Sequence, residues 1–299
     1  MRYLTLTLFL LLSGGAGYAG MEGTLFLRET LPAEGSLEVH FIDVGQGDAT
    51  LLISGREAML IDAGENDQGT LVWNYLKKRG VGDEITLKYC VGTHPDSDHI
   101  GGMDVILNKF SVEHIFLSEY EKDTATYRDV LEAVEYYCVD RILPVVGERY
   151  TLGDAHFTVI APNEEDYTDV NEASIGILME HGSNRMLFMG DCGEQAEEDT
   201  LKNGIDLRDI DLYKASHHGS STSSSQELMD TITPEYAVIS AGEDNDYGHP
   251  HAEVMNRLRM AGVKVFRTDE QGSIVAESDG ETLTFNCAPS ESWLAGEKR

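Results

Sequence analysis

The chain has 299 residues, of which 41% are hydrophobic and 25% charged, a composition that supports a sizeable core and excludes a disordered or fibrous chain. Asp and Glu outnumber Lys and Arg by 53 to 22, a formal net charge of −31 at pH 7. Such a surface repels nucleic acid and anionic membranes at long range, unless a local basic patch or a bound metal reverses the field.

The chain opens with Arg2, the apolar run "YLTLTLFLLL" and the small-residue stretch "SGGAGYAG". That is the pattern of a secretory signal over residues 1–19, with a mature start near Gly20. The apolar run is short for a membrane span, although retention as an N-terminal anchor stays open. No later stretch is long and apolar enough to cross a bilayer, so no stable span is expected after cleavage, and a secreted or cell-surface location is. Residues 20–36, with "LPAEG", read as a linker or arm. From Leu37 the pattern turns strand-like, in "LEVHFIDVG", "DATLLIS" and "AMLIDAG", with Gly45, Gly47 and Gly55 as turns. "GTLVWNYLKKRGV" has helical spacing and ends at Gly80. "LKYCVGTH" is a buried strand, "GGMDVILNKF" a helix, "VEHIFLS" a strand and "TATYRDVLEAVEYYCV" a helix.

The second half continues in the same style. "RYTLGDAHFTVIAP" and "ASIGILMEHGSNRMLFMGD" read as paired strands, and "GEQAEEDTLKNG" as a helix. "DIDLYKASHHG" is a strand running into a loop. Helix, strand, helix and strand follow in "SQELMDTI", "EYAVISAG", "AEVMNRLRMAG" and "KVFRTD", and a hairpin closes across Asp279–Gly280. No Pro- or Ser-rich linker divides the halves. The expectation is one α/β domain over residues 37–288, with two packed sheets and outer helices, followed by a tail at 289–299. Cys90, Cys138, Cys192 and Cys287 form no C-x-x-C pair, so a zinc ribbon is not expected. Export permits disulfides without requiring them. Cys192 directly follows Asp191 and could lie close to whatever that carboxylate does.

Chemistry concentrates in "VGTHPDSDHIGGM". Pro95 biases His94 toward extended backbone, and in an extended stretch residues 94, 96 and 98 point to one side, with His99 following at the turn. Imidazoles and carboxylates converging at a strand end suit Zn, Mn or Fe. Further donors stand at other strand ends: Asp191 in "MLFMGD", His217 and His218 in "YKASHHGSS", and His249 in "YGHPH". Four such ends are what a site built by loops on one rim of a sheet requires.

"HFIDVGQGDATLLI", "LIDAG", "THPDSDHIGG", "LFMGD", "SHHGSS" and "YGHP" occur in the order found in the metallo-β-lactamase superfamily. More narrowly they resemble its ComEC-type branch, which includes the hydrolase domain of DNA-uptake channel proteins and free-standing exported hydrolases. The phosphorylcholine esterases of cell walls look like relatives too. The resemblance spans Leu37 to Asn286 and implies an αββα sandwich of two mixed sheets flanked by helices. It also implies two divalent metal ions, Zn or Mn. Carried over, His94 and Asp96 belong to one ion, Asp98, His99 and His249 to the other, and Asp191 bridges them. Asp96 stands where the commoner pattern has His, and Asn171 where it has a further His, which leaves the first ion weakly provided. His181, beside an apparent hairpin turn, is a poor substitute. His218 is then free to act on the substrate as a catalytic group, with Asp98 also counted among the catalytic residues. Asp62 would orient a ligand imidazole. His217, Ser220 and Thr222 would sit near the substrate, and Asp43 and Asp48 read as mainly structural.

The implied function is an exported metal-dependent hydrolase using a metal-bound hydroxide, foremost a phosphodiesterase or nuclease. Its substrate would be nucleic acid or a small wall-linked diester, and no obligate protein partner is expected. Hydrolysis of a wall phosphodiester of the phosphorylcholine type, of a lactone, ester or β-lactam, and a non-catalytic binding role remain as alternatives.

Overall fold

The computed structural model describes residues 32–297, so the secretory-signal reading of residues 1–19 and most of the arm at 20–36 fall outside the described residues. Strands β1 (Leu37–Phe41), β2 (Thr50–Ser54), β3 (Glu57–Ile61), β4 (Thr86–Gly92), β5 (Val112–Leu117) and β6 (Asp140–Ile142) come first. They are followed by β7 (Arg149–Leu152), β8 (Ala155–Ala161), β9 (Gly176–His181), β10 (Asn184–Phe188), β11 (Leu212–Lys214), β12 (Tyr236–Ile239), β13 (Lys264–Arg267), β14 (Ile274–Ser278) and β15 (Leu283–Phe285). One sheet runs in the order β15-β14-β1-β2-β3-β4-β5-β6, the other β13-β12-β11-β10-β9-β8-β7. Both are mixed: pairing is parallel from β3 to β6 and from β10 to β13, and antiparallel elsewhere.

The sequence explains the layers. In β1, Leu37, Val39 and Phe41 alternate onto one face and meet Phe157, Ile177, Met186, Phe188 and Phe266 of the second sheet. In β2 both faces are apolar: Leu52 joins that inter-sheet core, while Leu51 and Ile53 face the helices on the outside. A strand covered on both sides needs the unbroken apolar run that "TLLI" supplies. The outer helices of the first sheet are α1 (Gly69–Lys78), α2 (Ser97–Ile100), α3 (Met103–Lys109) and α4 (Ala125–Tyr136). Helix α4 buries Tyr127, Val130 and Val134, one stripe at helical spacing, and Thr124 caps it by accepting from the Tyr127 N–H at 3.2 Å. The second sheet is covered by α5 (Glu194–Lys202), α6 (Gln226–Ile232) and α7 (Ala252–Met260), and the one-turn α8 (Thr268–Gln271) follows β13. The protein therefore has the α/β sandwich expected, two mixed sheets flanked by helices.

Two local features carried no signal in the sequence. Strand β6 is a three-residue edge too short to show a period. The stretch after Asn286 runs as coil yet is bonded to the body: Ser290 N–H donates to the Val265 carbonyl at 2.7 Å, Arg267 donates to the Leu294 carbonyl at 2.6 Å, and Gly296 N–H donates to the Pro250 carbonyl at 2.8 Å. Among the described residues no helix is long and apolar enough to cross a membrane.

Candidate metal centre

The chemistry-bearing residues gather on one rim, where β1, β3, β4, β10, β11 and β12 end. The loop after β1 turns at Gly45 and Gly47, and the Asp48 N–H donates to the Asp98 carbonyl at 3.0 Å. Gly47 has φ +134, and a Cβ there would lie 2.4 Å from that same carbonyl oxygen, so glycine is required for the close approach. The contact ties the first loop to the histidine motif and lodges Asp48 beneath it. After β3, Asp62 takes a left-handed backbone (φ 59) and accepts three hydrogen bonds: from Thr93 N–H at 2.9 Å, Thr93 Oγ1 at 2.8 Å and His99 Nδ1 at 2.8 Å. With Nδ1 held as the donor, Nε2 of His99 is left bare and directed to the rim. His94 turns Nδ1 toward Thr93 Oγ1 (3.1 Å) and Ser174 Oγ (3.3 Å), and its ring lies 4.1 Å from that of His99.

Asp191 follows Gly190, which has φ +52, and its N–H donates to Ser174 Oγ at 3.1 Å. Its carboxylate lies between two imidazoles, 3.2 Å from His99 Nε2 and 3.4 Å from His218 Nε2, with His217 Nε2 at 3.7 Å. His217 and His218 both adopt left-handed backbone, φ 51 and 54. His218 Nδ1 donates to the Ser240 carbonyl at 3.0 Å, and Nε2 faces Asp98 at 3.3 Å. Asp48 approaches the Nδ1 edge of both rings, 3.4 Å from His218 and 4.0 Å from His99, and is paired with the buried ammonium of Lys214. Among the described residues, donor atoms of Asp48, His99, Asp191 and His218 all lie within 4.8 Å of one another, and all four residues are buried. A cleft of about 170 Å³ opens above them, lined by Gln46, Asp96, Asp98, Asn171, Asp191, His217, His218, Tyr247 and His249.

Burial opposes charge throughout this centre, and opposite charges overcome it. Asp191 is held well below the usual carboxylate range by His218 and His99, and Asp98 by the same two rings. Asp48 is lowered to about 2, its burial outweighed by Lys214 and His218. In His99 and His218 burial is overcome by Asp191 together with Asp62 and Asp98, or with Asp48, and both are raised. His94, by contrast, is lowered to about 4 by burial and by His99, and His249 to about 3 by burial and by His218 and His217. Six buried atoms of the centre, Nε2 of His94, His99 and His218 and Oδ1 of Asp48, Asp191 and Asn171, have no hydrogen-bond partner. Leaving one such atom unpaired costs roughly 1–3 kcal/mol, and cations coordinated by the group would satisfy them together. Imidazole nitrogen with carboxylate oxygen suits Zn, Mn or Fe, so the residues present fit a metal centre.

Residues 42–243 match the family model of the metallo-beta-lactamase superfamily. The chain belongs to that superfamily. It is 29% identical over 289 residues to ComE operon protein 3 of Bacillus subtilis, covering 89% of this chain and 36% of that protein. It is 30% identical over 243 residues to Recombination protein 2 of Haemophilus influenzae (79% and 28%), and 30% over 256 residues to competence protein ComA of Neisseria gonorrhoeae (85% and 34%). These relatives agree with the ComEC-type branch, and the chain spans about a third of their length. In structure it resembles the metallo-beta-lactamase fold protein YhfI of Bacillus subtilis, with a TM-score of 0.57 at 12% identity, covering 82% of this chain and all of that one.

Within this superfamily fold, the expected residues are placed as follows. His94, Asp98, His99 and Asp191 come together with Asp62 behind His99, but not through an extended run. Extended backbone ends at Asp96, and the helical turn α2 brings Asp98 and His99 round. His218, expected on the substrate side, lies in the buried donor group instead. His249, expected as a ligand, stands outside that group. Its ring is 5.9 Å from that of His218 and 5.5 Å from that of Tyr247, and Nδ1 is 3.5 Å from Gln46 Nε2. Asp48, read as structural, is part of the group. Asp96 lines the cleft, with Oδ1 at 2.5 Å from Lys122 Nζ, and Asn171 lines it from a short 3₁₀ turn. Ser220 and Thr222 bond each other at 3.0 Å, and Thr222 Oγ1 lies 3.3 Å from His217 Nδ1, so they support that loop and do not line the cleft. His181 bonds Ser278 and is remote from the centre. Cys192 is buried with its thiol beneath the Ser174 carbonyl, and all four cysteines are free. Gln46, Tyr247, Lys122 and Lys214 were not singled out from the sequence. Gln46 sits between two glycines and Tyr247 directly before the "GHP" turn, which are weak signals, while the two lysines had none.

Proposed function

We propose that this protein is a metal-dependent phosphodiesterase. The observation that carries the reading is Asp191 set between the bare Nε2 atoms of His99 and His218, at the floor of a cleft walled by Asp96 and Asp98. His99, His218, Asp98 and Asp191 would hold one divalent ion, and His94 and Asp96, sharing Asp191, another. Such ions supply Lewis acidity to a phosphoryl oxygen and to water. The chain's own residues hold the arrangement. Asp62 and the Ser240 carbonyl fix the two imidazoles through Nδ1, and Asp48 balances them from beneath. His249, Gln46 and Tyr247 line the cleft without entering the donor group, and are the groups we assign to hydrogen-bond substrate oxygens.

Relatives named for competence and recombination support nucleic acid as the substrate. One observation favours the second reading, a small wall-linked diester beside a cation. A second groove is lined by Glu119, Glu121, Glu164 and Glu165 and by Ala173, two residues from the Asn171 that lines the cleft. Export, which the apolar N-terminal stretch supports, is part of the proposal. The test is hydrolysis of bis(p-nitrophenyl) phosphate, single-stranded DNA, plasmid and a β-lactam side by side, with Mn and with Zn. Turnover of the small diester is expected, with little or none of the β-lactam. Full metal load without diester turnover, or activity confined to the β-lactam, overturns the reading.

A further inference from the structure

The two halves of the donor set are unequal. The half around His99 and His218 has two imidazoles and the carboxylates of Asp98 and Asp191, with Asp62 and Asp48 behind the rings. The half around His94 has one imidazole, the neutral amide of Asn171 and one carboxylate of its own, Asp96, and that carboxylate is already paired. Lys122 Nζ lies 2.5 Å from Asp96 Oδ1. With the pair formed, the donors peculiar to this half carry no net charge.

Lys122 does not reach Asp96 from a free tail. Its backbone is fixed between β5 and α4, where the Lys122 carbonyl accepts from Thr124 N–H at 2.9 Å, one residue before the helix begins. One bond fastens the preceding turn to the Asn171 segment, from Ser118 Oγ to the Ala173 carbonyl at 3.0 Å, and a second, from Tyr120 N–H to Ser118 Oγ at 3.2 Å, holds the turn itself. The ammonium is therefore delivered to the rim by a loop that is bonded to the segment delivering Asn171. Yet the side chains of Lys122 and Asp96 are 38% and 28% exposed, so the pair can open into water without unpacking the core.

We propose that Lys122 competes with a metal ion for Asp96, so that the chain holds one divalent ion firmly and admits a second only when Lys122 leaves. The inference rests on the metal-centre reading above. A second divalent ion has to overcome repulsion from the first, and among the described donors Asp96 is the one negative charge that its half supplies besides the shared Asp191. Neutralising Asp96 with an ammonium removes that help, and freeing it restores one full unit of charge beside the ion.

The test is calorimetric titration of metal-stripped full-length protein with Mn, with electron paramagnetic resonance to detect a spin-coupled Mn pair. The wild type is expected to bind one ion firmly and a second at least tenfold more weakly, with little coupled signal until Mn is in excess. Lys122→Gln should leave the first affinity within twofold, raise the second at least tenfold and bring the coupled signal in at two equivalents. Lys122→Arg, which keeps the charge, should behave as the wild type. Melting of the three metal-free proteins shows whether each is folded. Equal affinity for two ions in the wild type, or an unchanged second affinity in Lys122→Gln, overturns the proposal while leaving the metal centre standing. If no first ion binds in any of the folded proteins, the metal centre itself fails and the proposal falls with it.

Discussion

Asp191 reaches His99 with one carboxylate oxygen and His218 with the other, at 3.2 and 3.4 Å. Removing it takes away the group common to both donor halves, so Asp191→Ala should lose most of the bound metal in elemental analysis. Metal retained in full by that variant removes Asp191 from the centre. His218 and His249 separate by the same measurement. His218→Ala should lose metal and turnover together, whereas His249→Ala should keep metal and lose activity by roughly 10²–10⁴-fold, the usual range for a group acting on the substrate. The opposite pattern returns His249 to the ligands. Sequence could bring His94, Asp98, His99 and Asp191 into one site, because each stands at the end of an apolar strand and the motifs keep the family order. It could not sort His218 from His249. The choice depends on a left-handed backbone at His218 and on the Ser240 carbonyl at its Nδ1, 22 residues away. The role of Asp48 was hidden for a similar reason. Its partners, Lys214 and His218, lie 166 and 170 positions on, and only the packing of the two sheets brings them near.

The elements that carry these residues hold together through buried polar groups. Glu197 on α5 is fully buried and accepts from the Ser224 and Ser225 N–H groups at 2.6 and 2.8 Å, fastening the loop that follows His218. Burial pushes its pKa up from 4.5 to about 7, against the two backbone N–H bonds, with Glu172 adding repulsion. Between those values the folded state keeps a proton that the unfolded chain has lost, so stability falls as pH rises through that window. The loss is on the order of 2–3 kcal/mol between pH 5 and pH 8. Glu197→Gln cannot titrate. In chelator, its melting temperature should therefore fall less than that of the wild type between pH 5 and pH 8, by several degrees. Equal slopes for the two proteins would show that Glu197 carries no such linkage. The Gly45–Gly47 turn is the other fastening. Gly47→Ala must displace the Asp98 backbone and should destabilise the fold by roughly 1–3 kcal/mol while weakening metal binding. Gly45→Ala meets open space and should cost only the strain of its positive φ. Helices and strands were legible in the sequence because their apolar residues keep a period, or, in strands covered on both faces such as β2, form an unbroken run between glycine turns. The edge strand β6 and the helical turn α2 are too short to show one.

At the scale of the whole molecule, charge bears on which of the proposed phosphodiester substrates can reach the cleft. A net charge of −31 over 299 residues repels a polyanion at any distance shorter than the Debye length, about 10 Å at 0.1 M salt. The cleft itself is lined by Asp96, Asp98 and Asp191, and the adjoining groove by four glutamates. Divalent ions in the centre act at short range and do not reverse a field of that size. A protein that grips DNA through a basic surface releases counterions, and its binding weakens steeply as salt rises. Here the opposite sign is expected. At fixed Mn, kcat/KM on long single-stranded DNA should rise between about 10 and 150 mM monovalent salt as repulsion is screened, whereas the value for bis(p-nitrophenyl) phosphate, with a single charge, should stay within about twofold. A steep fall on DNA over the same range would reveal a basic track that the charge count conceals. A flat response with DNA uncleaved throughout would leave the small, cation-linked diester as the substrate that this surface is built to admit.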